Sequence, residues 1–377
     1  MRVLQIVEAA VRYTVWPLIP EALKRRVRPT VMWLRGDVMV ASASTASQVI
    51  VAPASTASQV VDVAASELET LLIARRYQEI INGGARQPGG GTSSGAALTS
   101  PLSIDALVGY AHHAAVHSHD AMLQLIHSFH YEYPVPPADP FSPAYKDFWS
   151  KQYEAVAQRT YTFENELHDF DPKMESGVYP YNTRDPKIIA AHVIAAGAIL
   201  EAIPFPPPAR VLELGVGFGN TAFQIGLSGY DVTVLDIEKK YLDSVKSRFD
   251  REGLSVNCVH GEFFEAANLD GQFDVILFYE CFHHCLEHVA LLAMLKTKLT
   301  ARGVIIFAGE AIDNDIPFPW GLNTSGQAVW SIRHFGWMEL CFREDYFLDL
   351  LHRVGFTVSK SPSPHSSHSV VYTATAT

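Results

Sequence analysis

Cysteine is scarce in this 377-residue sequence: four are present, all in the C-terminal half, and none forms a CxxC pair or a zinc-ribbon spacing. Neither a disulfide scaffold nor a structural zinc site is expected, and such sparing use suits a reducing, cytoplasmic setting. Cys281 and Cys285 lie one helical turn apart and read as small buried hydrophobes. Long apolar runs are missing as well. No window of about 18 mainly apolar residues occurs, and the uncharged stretch from Val38 to Val61 is too rich in Ser, Thr and Gln to span a bilayer, so no membrane span is expected. Glu8 interrupts the first apolar stretch and Pro17 follows, which makes a poor signal peptide. Basic runs are also lacking: 40 acidic residues against 29 basic ones give a formal charge of -11, with no Lys/Arg cluster able to track a phosphate backbone, so nucleic acid is not an expected partner.

What is present falls into three stretches. Residues 1–100 contain Ala43-Ser44-Thr45-Ala46-Ser47-Gln48-Val49, repeated from Ala54 to Val60, and a Gly/Ser-rich tract from Pro88 to Gly95 that reads as a flexible linker. Two copies of a short repeat do not make a solenoid. Residues 101–185 read as a helical attachment covering the active site, with helix patterns from Ser103 to Tyr131 and Tyr145 to His168, separated by the proline-rich Tyr133 to Pro143 and followed by a loop from Asp169 to Asp185. Pro186 then suits the first turn of a helix running to Ala202. His112, His113, His117, His119, His127 and His130 crowd the first of these patterns; His113 and His117 have i, i+4 ligand spacing, but no Glu follows His113 as a zinc protease would require. They read as a polar helix face, and no metal site is assigned.

Residues 186–377 alternate strands and helices as a parallel sheet with crossover helices requires. Strands are expected at Arg210–Leu214, Asp231–Asp236, Ser255–His260, Phe273–Tyr279, Val304–Gly309, Thr357–Ser361 and Ser369–Thr373. Helices are expected at Asn220–Leu227, Lys239–Glu252, Val289–Leu299 and Glu344–Val354. The fold class is α/β: a Rossmann-like, doubly wound, mostly parallel seven-stranded sheet with a helical N-terminal attachment.

The strongest local signal is Val211-Leu212-Glu213-Leu214-Gly215-Val216-Gly217-Phe218-Gly219-Asn220, an apolar strand running into three alternate glycines and then a helix. Glycine there permits positive φ and lets a ligand touch the backbone. The dinucleotide fingerprint GxGxxG wants a glycine where Asn220 stands, which argues against a pyrophosphate, and Glu213 suits an amino-bearing ligand better than a phosphate. Asp236 closes the second strand, where switch-point geometry sets a carboxylate against a ribose, with Ile237 beside it. Glu262 and Phe263 at the third strand end offer an acid and an aromatic for an adenine, and Tyr279 at the fourth strand end opens towards the substrate side.

These pieces resemble the class I S-adenosylmethionine-dependent methyltransferase family, over roughly Lys187 to Thr373. The resemblance implies S-adenosylmethionine as cofactor, with Glu213, Gly215, Gly217, Gly219 and Asn220 in the glycine motif, Asp236 as the ribose acid and Glu262 with Phe263 at the adenine. It leaves the acceptor open. After the fourth strand, Glu280-Cys281-Phe282-His283-His284-Cys285 is similar to the His-bearing motif of small-molecule methyltransferases, with His284 at the position most often filled there. His284 is therefore the expected general base and His283 the second choice, whereas His288 reads as a surface residue. An Asn-Pro-Pro-Tyr tetrad and a Pro-Cys nucleophile are both absent, and Glu310, Asp313 and Asp315 make only a weak magnesium set. The aromatic run from Ile316 to Trp337 reads as a platform for a flat acceptor or sugar, or as a lid or homodimer surface. The expected activity is O-methylation of a hydroxyl on a small molecule or glycan. A lipid or quinone-type acceptor and a non-catalytic cofactor-binding scaffold are the alternatives.

Overall fold

The computed structural model describes Ile104, residues 129–167 and residues 185–377. The two-copy repeat, the Gly/Ser tract, the histidines from His112 to His127 and the loop expected at residues 169–184 lie outside them. Helix α1 (Pro143–Ala157) precedes α2 (Pro186–Ala202), and the sheet region follows as β1 (Arg210–Leu214), α3 (Asn220–Leu227), β2 (Asp231–Asp236), α4 (Lys239–Arg251), β3 (Asn257–His260), β4 (Phe273–Tyr279), α5 (His288–Lys296) and β5 (Leu299–Ala308). Then come β6 (Trp320–Leu322), α6 (Gly326–His334), β7 (Leu340–Phe342), α7 (Glu344–Val354), β8 (Phe356–Ser361) and β9 (Val371–Ala376).

Seven strands form one sheet in the order β3-β2-β1-β4-β5-β9-β8. The first five run parallel, and β9 lies antiparallel to both β5 and β8. The mostly parallel, doubly wound expectation is what the structure shows. The central strands are apolar on both faces because helices cover both: Val211, Leu212, Leu214, Val275, Ile276, Leu277 and Phe278 are all fully buried. On one side Ile199 of α2, Phe223 and Ile225 of α3 and Phe249 of α4 pack against Val211, Val234, Val275 and Ile306. Pairing of Leu214 with Leu235 and with Phe278 brings the carboxyl ends of β1, β2 and β4 level. That shared edge is where open α/β sheets bind ligands.

Local chemistry fixes the helix boundaries. Asp185 caps α2 by accepting the Lys187 N–H at 2.8 Å, with Pro186 at the first helical position as expected. Glu344 and Asp345 fill the first turn of α7, which stops at Gly355 with φ 90°.

Two departures from the sequence reading matter for the site. The second attachment helix ends at Ala157 and does not run to His168, because Gln158 turns left-handed at φ 54° and Thr160 and Thr162 are β-branched; a separate 3₁₀ turn spans Phe163–Glu166. The aromatic run after β5 folds into a β6/β7 ribbon around α6. Helix α1 packs on it: the Tyr145 hydroxyl donates to Trp320 O at 2.8 Å, and the Trp149 ring leaves no room for a Cβ on Gly321, which would sit 2.1 Å away. Phe318 and Trp320 are thereby buried as core and do not form an open platform. Among the described residues no helix is long and apolar enough to cross a membrane.

Candidate functional site

The glycine loop leaves β1 with Gly215, Gly217 and Gly219 at φ 66°, 49° and 68°, the left-handed region that a side chain disfavours. Two of the three also meet close neighbours. A Cβ on Gly219 would lie 2.4 Å from Val245 Cγ2, and one on Gly215 would lie 2.9 Å from Cys281 Sγ. Around Gly217 there is open space, which is where a ligand can approach the backbone.

Asp236 holds this loop from below. Its Oδ2 accepts the Gly217 N–H at 2.9 Å and its Oδ1 accepts the Glu238 N–H at 2.8 Å. Burial pushes its pKa up to about 6 against these two donors. Beneath it, Glu213 is 3% exposed and its Oε2 has no hydrogen-bond partner among the described residues. Burial, reinforced by the Asp236 charge, pushes Glu213 up to about 8. A buried carboxyl without a donor is costly, and an incoming ammonium group would relieve it.

The pH dependence of stability follows from that shift. Unfolded, Glu213 ionises near 4.5, and folded near 8. Between the two the native state binds the extra proton, so stability falls as pH rises from about 4.5 to about 8 and changes little beyond. With no ligand added, Glu213→Gln is expected to raise the urea midpoint at pH 8 relative to pH 5 when each is compared with wild type. Equal differences at the two pH values would remove Glu213 as the source.

The other expected cofactor contacts are mixed. Phe263 packs edge-on against Phe278 at 5.8 Å and borders Gly215, so it lines the loop. Glu262 caps its own 3₁₀ turn through Phe264 N at 2.9 Å. Asn220 accepts from Arg248 at 2.6 Å, while its Nδ2 is buried and unbonded. The carbonyl of Ile237 contacts His260 Nε2 at 2.9 Å. Tyr279 turns towards α2, its hydroxyl 2.7 Å from His192 Nδ1, beside an ion pair between Glu280 and His368. His192 and His368 carried no signal in the sequence.

Past β4 the chain is pinned to β1: the Cys281 thiol donates to Leu214 O at 2.9 Å. Burial pushes that thiol's pKa well up, so it serves as a donor and not as a nucleophile. The 3₁₀ turn Phe282–His284 follows directly, which sets both histidines at the sheet edge next to the glycine loop. Glu310, at the exit of β5, organises the turn. Its Oε1 accepts the N–H groups of Cys281 at 3.1 Å and Phe282 at 3.0 Å, and its Oε2 accepts the His283 N–H at 3.2 Å and lies 2.8 Å from His283 Nδ1.

The His283 and His284 rings lie 4.4 Å apart. His283 Nε2 faces Glu339 Oε2 at 3.8 Å, and His284 Nδ1 faces Glu166 Oε2 at 3.3 Å. At 3.3 Å that second contact is close enough for charge pairing but poorly aligned for a hydrogen bond; a fifth of the His284 side chain is accessible, while Nδ1 is wholly buried. Burial opposes a charge on His284, yet Glu166, Glu339 and Glu310 outweigh it and push the ring up to about 9. Glu166 reaches in from the turn after α1, held by the Met338 N–H at 2.7 Å. His288 is corrected by the structure. It is 1% exposed, packed between Trp320 and Phe342, with Nε2 2.9 Å from the Tyr346 hydroxyl.

Sequence reasoning named the two histidines that the structure sets side by side here, and it did not name Glu166 or Glu339. Glu310 was noticed only as part of a magnesium set, although its place right after β5 was a usable signal.

Residues 212–307 match the family model described as a methyltransferase domain. A probable S-adenosyl-L-methionine-dependent methyltransferase, TehB of Haemophilus influenzae, is 25% identical over 125 residues, covering 33% of this chain and 43% of that protein. The chain therefore spans less than half the length of this curated relative. Among solved structures, an S-adenosylmethionine-dependent methyltransferase from Clostridium acetobutylicum is 13% identical with a TM-score of 0.39, covering 50% of this chain and 95% of that one. The 1,6-didemethyltoxoflavin-N1-methyltransferase of Burkholderia thailandensis is 20% identical with a TM-score of 0.38, covering 65% and 93%.

Proposed function

We propose that this chain, whose residues 212–307 match a methyltransferase domain, transfers the methyl group of S-adenosylmethionine to a hydroxyl of a small molecule or glycan. The residues at the sheet edge fit that cofactor. The unpaired, buried Oε2 of Glu213 suits its amino group, Asp236 its ribose, the open backbone at Gly217 its close approach, and Phe263 the adenine. When bound, S-adenosylmethionine supplies a sulfonium methyl whose C–S bond breaks as the new C–O bond forms, so the hydroxyl must give up its proton.

The observation that carries the acceptor side is the position of His283 and His284. They sit on a turn pinned to the glycine loop through Cys281 and Leu214 and are faced by Glu166, Glu310 and Glu339. Orientation supplies much of the acceleration of an in-line displacement, and this cluster both positions a hydroxyl and receives its proton. His284 is the residue assigned the larger part, as a base in its neutral form, so with the ring pushed up to about 9 the rate is expected to rise with pH towards that value. The turn after α1, which brings Glu166 to His284 and Tyr161 within 3.4 Å of the His284 carbonyl, closes the site on that side.

Calorimetric titration tests the cofactor. S-Adenosylhomocysteine is expected to bind wild type, and Asp236→Ala to weaken it by ~1–3 kcal/mol through loss of a charge-assisted bond and of the Gly217 anchor. Binding of NADH with no response to S-adenosylhomocysteine would overturn the reading.

A further inference from the structure

The histidine and carboxylate cluster contains distances that hydrogen bonding does not explain. With Glu310 on Nδ1, the neutral His283 ring keeps its proton there and turns the Nε2 lone pair outward. That lone pair points at another acceptor, Glu339 Oε2, at 3.8 Å, too long for a hydrogen bond. His284 adds a buried, unbonded Nδ1 beside Glu166. One donor atom from each of His283, His284 and Glu339 lies within 4.8 Å of the others. Two ligands of a single ion at ~2.0–2.2 Å stand ~3–3.6 Å apart, so a contraction of about 1 Å brings all three into one coordination sphere.

We propose that His283, His284 and Glu339 hold a divalent first-row transition-metal ion of the zinc type, with a coordination position left for the acceptor hydroxyl. Two imidazoles and one carboxylate match the donor set of open catalytic sites and are poorly suited to magnesium or calcium, which take oxygen ligands. Glu310 is the supporting residue such a site needs. It is almost wholly buried, fixed by backbone N–H groups on one side, and it orients a ligand imidazole through the nitrogen not facing the ion. The sequence reading assigned no metal, and Glu339 joins the two histidines only through the β6/β7 ribbon.

The inference rests on reading this cluster as the acceptor side, and it gives that cluster a Lewis acid that would lower the pKa of a hydroxyl. Its test does not depend on turnover. Full-length protein is stripped with a chelator, then titrated with Zn²⁺ for stoichiometry and with Co²⁺ for its visible absorption. Wild type is expected to take up one more equivalent than His283→Gln or Glu339→Gln, with a Co²⁺ band that both variants lose, and Glu310→Gln to weaken that equivalent ~10–100-fold. The variant comparison removes ions taken up by other histidines, and a cooperative melting curve for each variant reports that it is folded, independently of cofactor binding. Equal stoichiometry and spectra in wild type and folded variants would overturn the metal site and leave the methyltransferase reading standing. Metal uptake confined to wild type, with no cofactor binding by any form, would support the site and remove the activity assigned to it.

Discussion

Replacing His284 with alanine is expected to lower single-turnover methyl transfer by ~10²–10⁴-fold while leaving S-adenosylhomocysteine affinity almost unchanged. The imidazole is assigned to the acceptor side, in a turn held by Glu310 through backbone N–H groups and the His283 ring, and by the Cys281 thiol on Leu214 O. On the proposed reading the loss falls on the step in which the hydroxyl is deprotonated and aligned, and not on the glycine loop, where Glu213, Gly217 and Asp236 are assigned to the cofactor. His284→Gln should behave similarly, because an amide matches the ring's size without its basicity or its ligand strength. His283→Ala should lose activity and some stability together, since it also strands Glu310 without its ring partner. The measurement is methyl transfer with the true acceptor across pH, beside a melting curve for each variant. Near-wild-type rates for His284→Ala would remove this residue from the mechanism. A fall in melting temperature that accounts for the lost activity would make its role structural.

Glu310→Ala should destabilise the fold by about 3–5 kcal/mol. One carboxylate serves three consecutive backbone N–H groups and an imidazole, and its own side chain is 1% exposed. Alanine leaves those donors buried without acceptors, each costing roughly 1–3 kcal/mol when uncompensated. Out of a total of ~5–15 kcal/mol, such a loss brings the chain close to unfolding at ordinary temperature. Glu310→Gln keeps one acceptor oxygen and should lose less. Urea midpoints at fixed pH distinguish the cases, and a Glu310→Ala midpoint equal to wild type would show that the turn holds without it.

Much of the sheet was legible in the residues. The limits of β1, β2 and β4 were read to the residue, because strands buried on both faces are predominantly apolar runs, which here end at Leu214, Asp236 and Tyr279. Helix α3 was equally clear, starting where the third glycine turns left-handed. The β6/β7 ribbon was not legible: its strands are three residues each, and the aromatic side chains of that segment follow neither a strand nor a helix period. The site divided in the same way. Glu213, the glycines, Asp236 and the two histidines lie on consecutive strand ends, so order along the chain announced them. Glu166 and Glu339 arrive from the turn after α1 and from the entry to β7, and only tertiary packing brings them to the histidines. His288 was misread for a related reason: its burial is created by Trp320, Phe342 and Tyr346, all distant in sequence.

The place of β9 bears on how the chain assembles during synthesis. It supplies the ladder between β5 and β8, yet it is made after both. β1 to β5 can pair with one another as they leave the ribosome, each new strand finding a parallel neighbour already present. β8 emerges with no partner, and β5 waits with one edge open, until Ala376 has cleared the exit tunnel. Over that interval one edge of β5 and both edges of β8 are unsatisfied, the surface on which a holding chaperone or a second nascent chain would act.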